Sequence, residues 1–185
     1  VLTGGKSTRM GEDKSQLQYH GREQWKYVRD MLEIYCEDVV VSVPRNADQT
    51  GSGFIPDRLD DFGPFGGIVS CFMEAPNKAH LVVAVDLPFV NEKTLKTLRD
   101  NRNPYKTATA FLNPGNGFPE PLISIWEPKA YAKMLSFLSM GYTCPRKVLI
   151  NSDIATAPLT NEKWIRNANT PEERAQVMEE LGGRY

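Results

Sequence analysis

The chain has 185 residues, 24% of them charged and 41% hydrophobic, with a formal net charge of −1. These values fit one globular domain spanning the chain and exclude a disordered polymer. Near-neutral charge argues against a nucleic-acid-binding or membrane-binding surface, and no apolar run approaches the ~20 residues of a membrane span. The three cysteines, Cys36, Cys71 and Cys144, are widely spaced and form no CxxC pair. They read as buried thiols of a reducing cytoplasm rather than a disulfide or zinc framework.

Val1-Leu2-Thr3 reads as the tail of a strand whose beginning is missing. Lys6 to Tyr19 follow as a polar, basic loop. Trp25, Val28, Met31, Leu32 and Tyr35 recur at helical spacing and predict a helix over about residues 22–36. Asp38 to Val43 predicts a strand stopped by Pro44, and Phe54-Ile55 a shorter one. Gly63-Pro64 introduces a helix that ends near Pro76. His80 to Val85 is a continuous apolar run, as a central strand covered on both faces requires, and it ends at Asp86.

A helix over 92–100 precedes strands at Thr107–Leu112 and Leu122–Trp126. Helices over 128–140 and 145–150 and a strand near 155–159 follow. Thr170-Pro171-Glu172-Glu173 opens the last helix with a threonine cap, proline at the first position and acids in the first turn. The alternation predicts an α/β fold with a largely parallel sheet. Ligands of such sheets sit beyond the carboxyl ends of the strands, which sets the loop after Thr3 opposite Asp86.

That loop, Gly4-Gly5-Lys6-Ser7-Thr8-Arg9-Met10-Gly11-Glu12-Asp13-Lys14, combines three glycines with Lys6, Arg9 and Lys14. Glycines let backbone amides approach a ligand closely, and amides plus cations after a strand make an anion cradle suited to a polyphosphate. Gly5-Lys6-Ser7 is a poor P-loop end, because Val-Leu belongs to the strand and no helix start follows the serine. Asp86 is a lone carboxylate closing an apolar strand. It either caps the turn before Pro88 or holds a divalent cation together with substrate phosphates.

Leu2 to Lys14 resembles, at every fixed position, the signature Leu-x-Gly-Gly-x-Ser-x-Arg-Met-Gly-x-Asp-Lys of the molybdenum cofactor guanylyltransferase family. Gly63-Pro64-Phe65-Gly66-Gly67-Ile68, Val85-Asp86-Leu87-Pro88-Phe89, Pro121-Leu122 and Asn167-Ala168-Asn169-Thr170-Pro171-Glu172-Glu173 resemble its later motifs, in the same order. The resemblance implies a Rossmann-like three-layer nucleotidyltransferase fold. It implies that the phosphate of molybdopterin-bound molybdenum attacks the α-phosphate of GTP, releasing pyrophosphate. By the same resemblance Leu2, Thr3, Gly4, Gly5 and Asp57 hold the nucleotide, Arg9 and Lys14 contact its phosphates, and Asp86 holds Mg²⁺.

Phosphoryl transfer asks a protein chiefly for positioning and charge stabilisation, which these residue types supply. Alternatives are a cytidylyltransferase acting on the same cofactor and an inactive nucleotide-binding module. Intact Arg9, Lys14 and Asp86 speak against the second. Phe118-Pro119-Glu120-Pro121 departs from the pattern expected near the acceptor. Arg146-Lys147 reads as a solvated pair, and His20 as a turn histidine.

Overall fold

In the computed structural model, which describes residues 1–3, 18–49 and 51–182, the short N-terminal segment joins two sets of strands into one open sheet. Leu2 bridges Ser42 on one side and Ala84 on the other, parallel to both. On the first side lie β1 (Val41–Val43) and β2 (Phe54–Pro56), paired parallel. On the second lie β3 (His80–Val83), β5 (Pro119–Trp126), β4 (Ala108–Leu112) and β6 (Ile154–Ala157), in that spatial order. β4 and β6 are parallel, while β5 runs against both of its neighbours. The sheet is therefore parallel over the half that carries the predicted site and mixed beyond it.

The helices are α1 (Gln24–Leu32), α2 (Gly63–Glu74), α3 (Glu92–Asp100), α4 (Lys129–Ser139), α5 (Pro145–Ile150) and α6 (Pro171–Gly182). A 3-10 turn at Glu162–Ile165 precedes the last of them. α2 packs on β1, β2 and β3, and buries Phe65, Ile68, Val69 and Phe72 completely. Among the described residues no helix is long and apolar enough to cross a membrane.

Element boundaries depart from the sequence reading where pairing, not composition, sets them. β1 starts at Val41, where its ladder with β2 begins opposite Phe54; Val40 contributes only a carbonyl, which accepts from the Val1 amino group at 2.8 Å. β3 ends at Val83, and Ala84 and Val85 continue the run by pairing with Leu2, Val85 N donating to Leu2 O at 3.1 Å. β5 begins at Pro119 rather than Leu122 and carries two prolines in an interior strand. The register against β4 shifts between Ala110, opposite Ser124, and Leu112, opposite Pro119. Pro119 and Pro121 fall in or beside this irregularity, where a missing N–H costs little of the ladder. α1 stops at Leu32, and residues 33–35 continue only as turns.

The threonine cap read from the sequence at Thr170 is made. Glu173 N donates to Thr170 Oγ1 at 3.2 Å, and the Glu173 carboxylate accepts from Asn169 N at 2.6 Å and Thr170 N at 3.2 Å, a capping box that starts α6. Asn91 and Thr94 do the same for α3.

The buried carboxylate of Glu127, at the end of β5, takes both oxygens' worth of contact from the Arg102 guanidinium, at 2.7 and 2.9 Å. A bidentate pair of this kind locks the exit of α3 to the entry of α4. Arg102→Ala is expected to lower stability by about 1–3 kcal/mol, read by denaturant unfolding, with Arg102→Lys restoring only part because it cannot form both bonds.

Candidate active site

Parallel pairing puts the carboxyl ends of the N-terminal segment, β1, β2 and the β3 run on one rim. Thr3, Pro44, Asp57 and Asp86 stand there. The chain leaves the N-terminal segment toward β1 and later returns to its other flank as β3, so the order reverses between Leu2 and Ala84. A reversal of this kind is where open α/β sheets hold their ligands. Gly4, Gly5, Arg9 and Lys14 lie outside the described residues.

Thr3 is buried, and its hydroxyl donates to Ser42 O at 2.7 Å while its N–H bonds the same carbonyl at 3.1 Å. Ser42 in turn donates from Oγ to Asp57 Oδ1 at 2.6 Å. Backbone strain is absent from this chain of contacts. Its tightness comes instead from α2: a Cβ on Gly67 would stand 2.6 Å from Ser42 Oγ, 3.0 Å from Leu2 Cδ2 and 3.4 Å from Asp57 Oδ1. Gly67 is thus a glycine because the strand and its carboxylate press against the helix.

The acidic run 57–61 divides in the structure. Asp57 is half-buried beside Ser42, whereas Asp60 and Asp61 are exposed. Burial raises the Asp57 carboxyl above its ordinary value, the Ser42 hydrogen bond pulls it back, and Asp60 adds to the rise. Asp57 N donates to Val43 O at 2.8 Å, Arg58 N donates to Ser70 Oγ at 2.8 Å, and the Ser70 hydroxyl donates to Gly66 O at 2.7 Å. Arg45 closes the loop from outside by reaching the carbonyls of Asp57 and Arg58 and the Asp60 carboxylate. Between Arg45, Asp57 and the Phe62-Gly63-Pro64 entry to α2 opens a cavity of about 800 Å³, within the range of nucleotide-sized ligands. A more open cleft of about 570 Å³ lies between α1 and the start of α3.

Asp86 is half-buried between fully buried Val85 and Leu87, with one carboxylate oxygen out of contact with solvent. Its carbonyl accepts from Ala168 N at 3.0 Å, which brings the Asn167-Ala168-Asn169 loop and the start of α6 to the rim. Beneath this turn Tyr19, Phe89, Ala168, Val177 and Leu181 form a small core of their own. His20 anchors the same turn through Nε2 and Pro88 O, 3.0 Å apart, and stacks on Tyr27. Among the described residues no three His, Cys, Asp or Glu side chains converge on a metal position. A hard cation at Asp86 would be completed by substrate oxygens, which suits Mg²⁺ bound by one carboxylate and phosphates, and the Asp86 carboxylate fits that donor set.

The structure therefore brings Leu2, Thr3 and Asp57 into one contact chain and sets Asp86 on the same rim across the reversal. Gly67 falls in the Gly63–Ile68 motif, but its contact with Ser42 and Asp57 was not foreseen. Sequence reasoning missed Ser42, Ser70 and Arg45, of which Ser42 carried a signal, as a lone hydroxyl in an otherwise apolar strand whose buried face demands a partner.

The model of the MobA-like NTP transferase domain matches residues 1–154. The chain belongs to the MobA-like NTP transferase family. It is 34% identical over 96% of its length to a molybdenum cofactor biosynthesis bifunctional protein of Synechocystis sp., and spans about half (52%) of that longer protein. It is 30% identical over 97% of its length to the molybdenum cofactor guanylyltransferase of Xanthomonas euvesicatoria, covering 93% of it. Molybdopterin-guanine dinucleotide biosynthesis protein A from Archaeoglobus fulgidus shares the fold with a TM-score of 0.80 at 20% identity, covering 99% of this chain and 97% of its own.

Because the folded Asp57 carboxyl is raised, ionising it costs stability. Its favourable contribution is complete below the ordinary carboxylate range, around pH 4, and is lost as pH rises through the raised value. Asp57→Asn is therefore expected to gain thermal stability relative to the parent between about pH 4 and pH 7. Melting curves across that range check this. Gly67→Ala is expected to displace Ser42 and Asp57 and to cost about 1–3 kcal/mol, read by unfolding.

Proposed function

We propose that the chain transfers GMP from GTP to the phosphate of molybdenum cofactor, forming a guanine dinucleotide and releasing pyrophosphate. The observation that carries the reading is the convergence of the signature-bearing strand end at Thr3, the Asp57 pocket and Asp86 at the reversal of a family member's sheet. The relatives named for this activity support it.

The base and ribose of GTP fit the cavity beside Asp57 and α2. Guanine carries N1–H and N2–H₂ donors that a half-buried carboxylate such as Asp57, or backbone carbonyls of this rim, can accept. A site built around such bonds discriminates strongly against bases that cannot make them, because its own polar groups are then left unpaired. The motif assigns Lys14 to the α-phosphate and Arg9 to the departing pyrophosphate. Asp86 would hold Mg²⁺, which when bound supplies charge neutralisation for the polyphosphate.

In the transfer, a phosphate oxygen of the acceptor forms a bond to the α-phosphorus of GTP. The bond from that phosphorus to the bridging oxygen breaks, and pyrophosphate leaves with the bonding pair. The nucleophile is already ionised, so no side chain has to remove a proton. The protein's task is alignment and charge stabilisation. Of the three cysteines expected to be buried only Cys71 is; Cys36 is half-buried and Cys144 exposed, and all three are free thiols, in keeping with a cytoplasmic enzyme.

Asp86→Asn keeps the shape and removes the charge. Turnover is expected to fall by about 10²-fold or more with melting temperature preserved. Lys14→Ala is expected to lower kcat more than GTP affinity, and Arg9→Ala the reverse. Competition between GTP and CTP, followed by pyrophosphate release with molybdenum cofactor as acceptor, tests the base. Displacement of GTP by an equal concentration of CTP replaces the guanylyl reading with the cytidylyl one.

A further inference from the structure

Tyr19 is buried, 3% exposed, in the small core beneath the Asp86 turn, against Phe89 and Ala168 and the inner face of α6. Its ring belongs there, but its hydroxyl does not. The hydroxyl oxygen is out of contact with solvent and has no hydrogen-bond partner among the described residues. A phenylalanine would fill the same space without burying a polar group, so the hydroxyl calls for an acceptor.

Three charged groups act on it. Burial raises the Tyr19 hydroxyl above its ordinary value, Arg174 opposes the rise, and Asp86 and Glu173 add to it. Asp86 stands on the ligand rim, its carbonyl tied to Ala168 N of the same cluster and one of its carboxylate oxygens buried.

We propose that Tyr19 is a positioning residue, its hydroxyl donating to the Asp86 carboxylate in the loaded site and fixing the orientation in which Asp86 meets the nucleotide-bound divalent cation. The inference rests on the reading of Asp86 given above. It makes the packing of α6 part of the site: the helix holds the tyrosine ring, and the tyrosine holds the carboxylate. Oxygen ligands of metals are routinely oriented by a second hydrogen-bonding group behind them.

The test uses Mn²⁺ as the probe. Mn²⁺ held in the ternary complex of protein and GTP is measured by electron paramagnetic resonance against a GTP–Mn²⁺ blank, for the parent, Tyr19→Phe, Asp86→Asn and the double variant. Thermal melting of each is recorded in parallel. Tyr19→Phe is expected to weaken Mn²⁺ binding about threefold to tenfold, the worth of one hydrogen bond. Its melting temperature should be unchanged or raised, and GTP affinity without divalent ion unchanged. Added to Asp86→Asn it should cost nothing further, because the group it orients is gone. Normal Mn²⁺ affinity in Tyr19→Phe beside a clear loss in Asp86→Asn overturns the role of Tyr19 and leaves that of Asp86 standing, whatever the melting temperature does. An equal further loss in the double variant shows that Tyr19 acts elsewhere, and also overturns it. Normal Mn²⁺ affinity in Asp86→Asn overturns the Asp86 assignment itself.

Discussion

Leu2 is hydrogen-bonded on both flanks of the sheet, and the rest of the architecture follows from that. Leu2 N donates to Val83 O at 2.9 Å and Leu2 O accepts from Val85 N, while Val1 O accepts from Ser42 N at 2.8 Å and Thr3 N donates back to Ser42 O. Without these bonds β1–β2 and β3–β5–β4–β6 are two separate sheets. With them, residues more than forty positions apart in sequence share one rim. The segment is short, but it is buried on both faces, so its ladder is shielded from water and its side chains pack against α2.

Two different kinds of support flank this seam. On the Asp57 side the positioning is polar: hydroxyls of Thr3, Ser42 and Ser70 each make short bonds that fix strand, loop and helix to one another. On the Asp86 side it is apolar, a satellite core built from Tyr19, the Asp86–Phe89 turn and α6. The polar side fixes hydrogen-bond directions, as discrimination of a base requires. The apolar side holds its turn by packing and a few backbone bonds, and so ties the phosphate-facing carboxylate to the C-terminal helix.

Much of this was legible in the residues. Long amphipathic or apolar segments declared themselves: α3 occupies the predicted 92–100, and α6 starts at the capping box that Thr170 and Glu173 announce. The motif at Leu2–Lys14 and the carboxylate ending an apolar run at Asp86 pointed to the rim. What stayed hidden was set by partners distant in sequence. Nothing local in Leu2 to Thr3 reveals strands on both sides, and nothing local in Pro119-Glu120-Pro121 reveals that a register shift admits prolines to an interior strand. Which aspartate of 57, 60 and 61 turns inward depends on Ser42 and Gly67, and no periodicity of the acidic run records it.

The loop 57–61 is held mostly through its main chain. Ser70 receives the amide of residue 58, Val43 receives that of residue 57, and Arg45 grips the two carbonyls. Bonds of this kind are indifferent to the side chain carried at the position. Residue 58 can therefore change at the cost only of its exposed ion pair with Glu74 while the loop keeps its course, whereas Asp60 is also gripped through its carboxylate by Arg45. Selection can act on the holders, Ser42, Arg45, Gly67 and Ser70, and on Asp57, the acid that they turn inward. Constancy is thus expected in the strand and helix that flank the pocket and at Asp57, with variation at residue 58 between them.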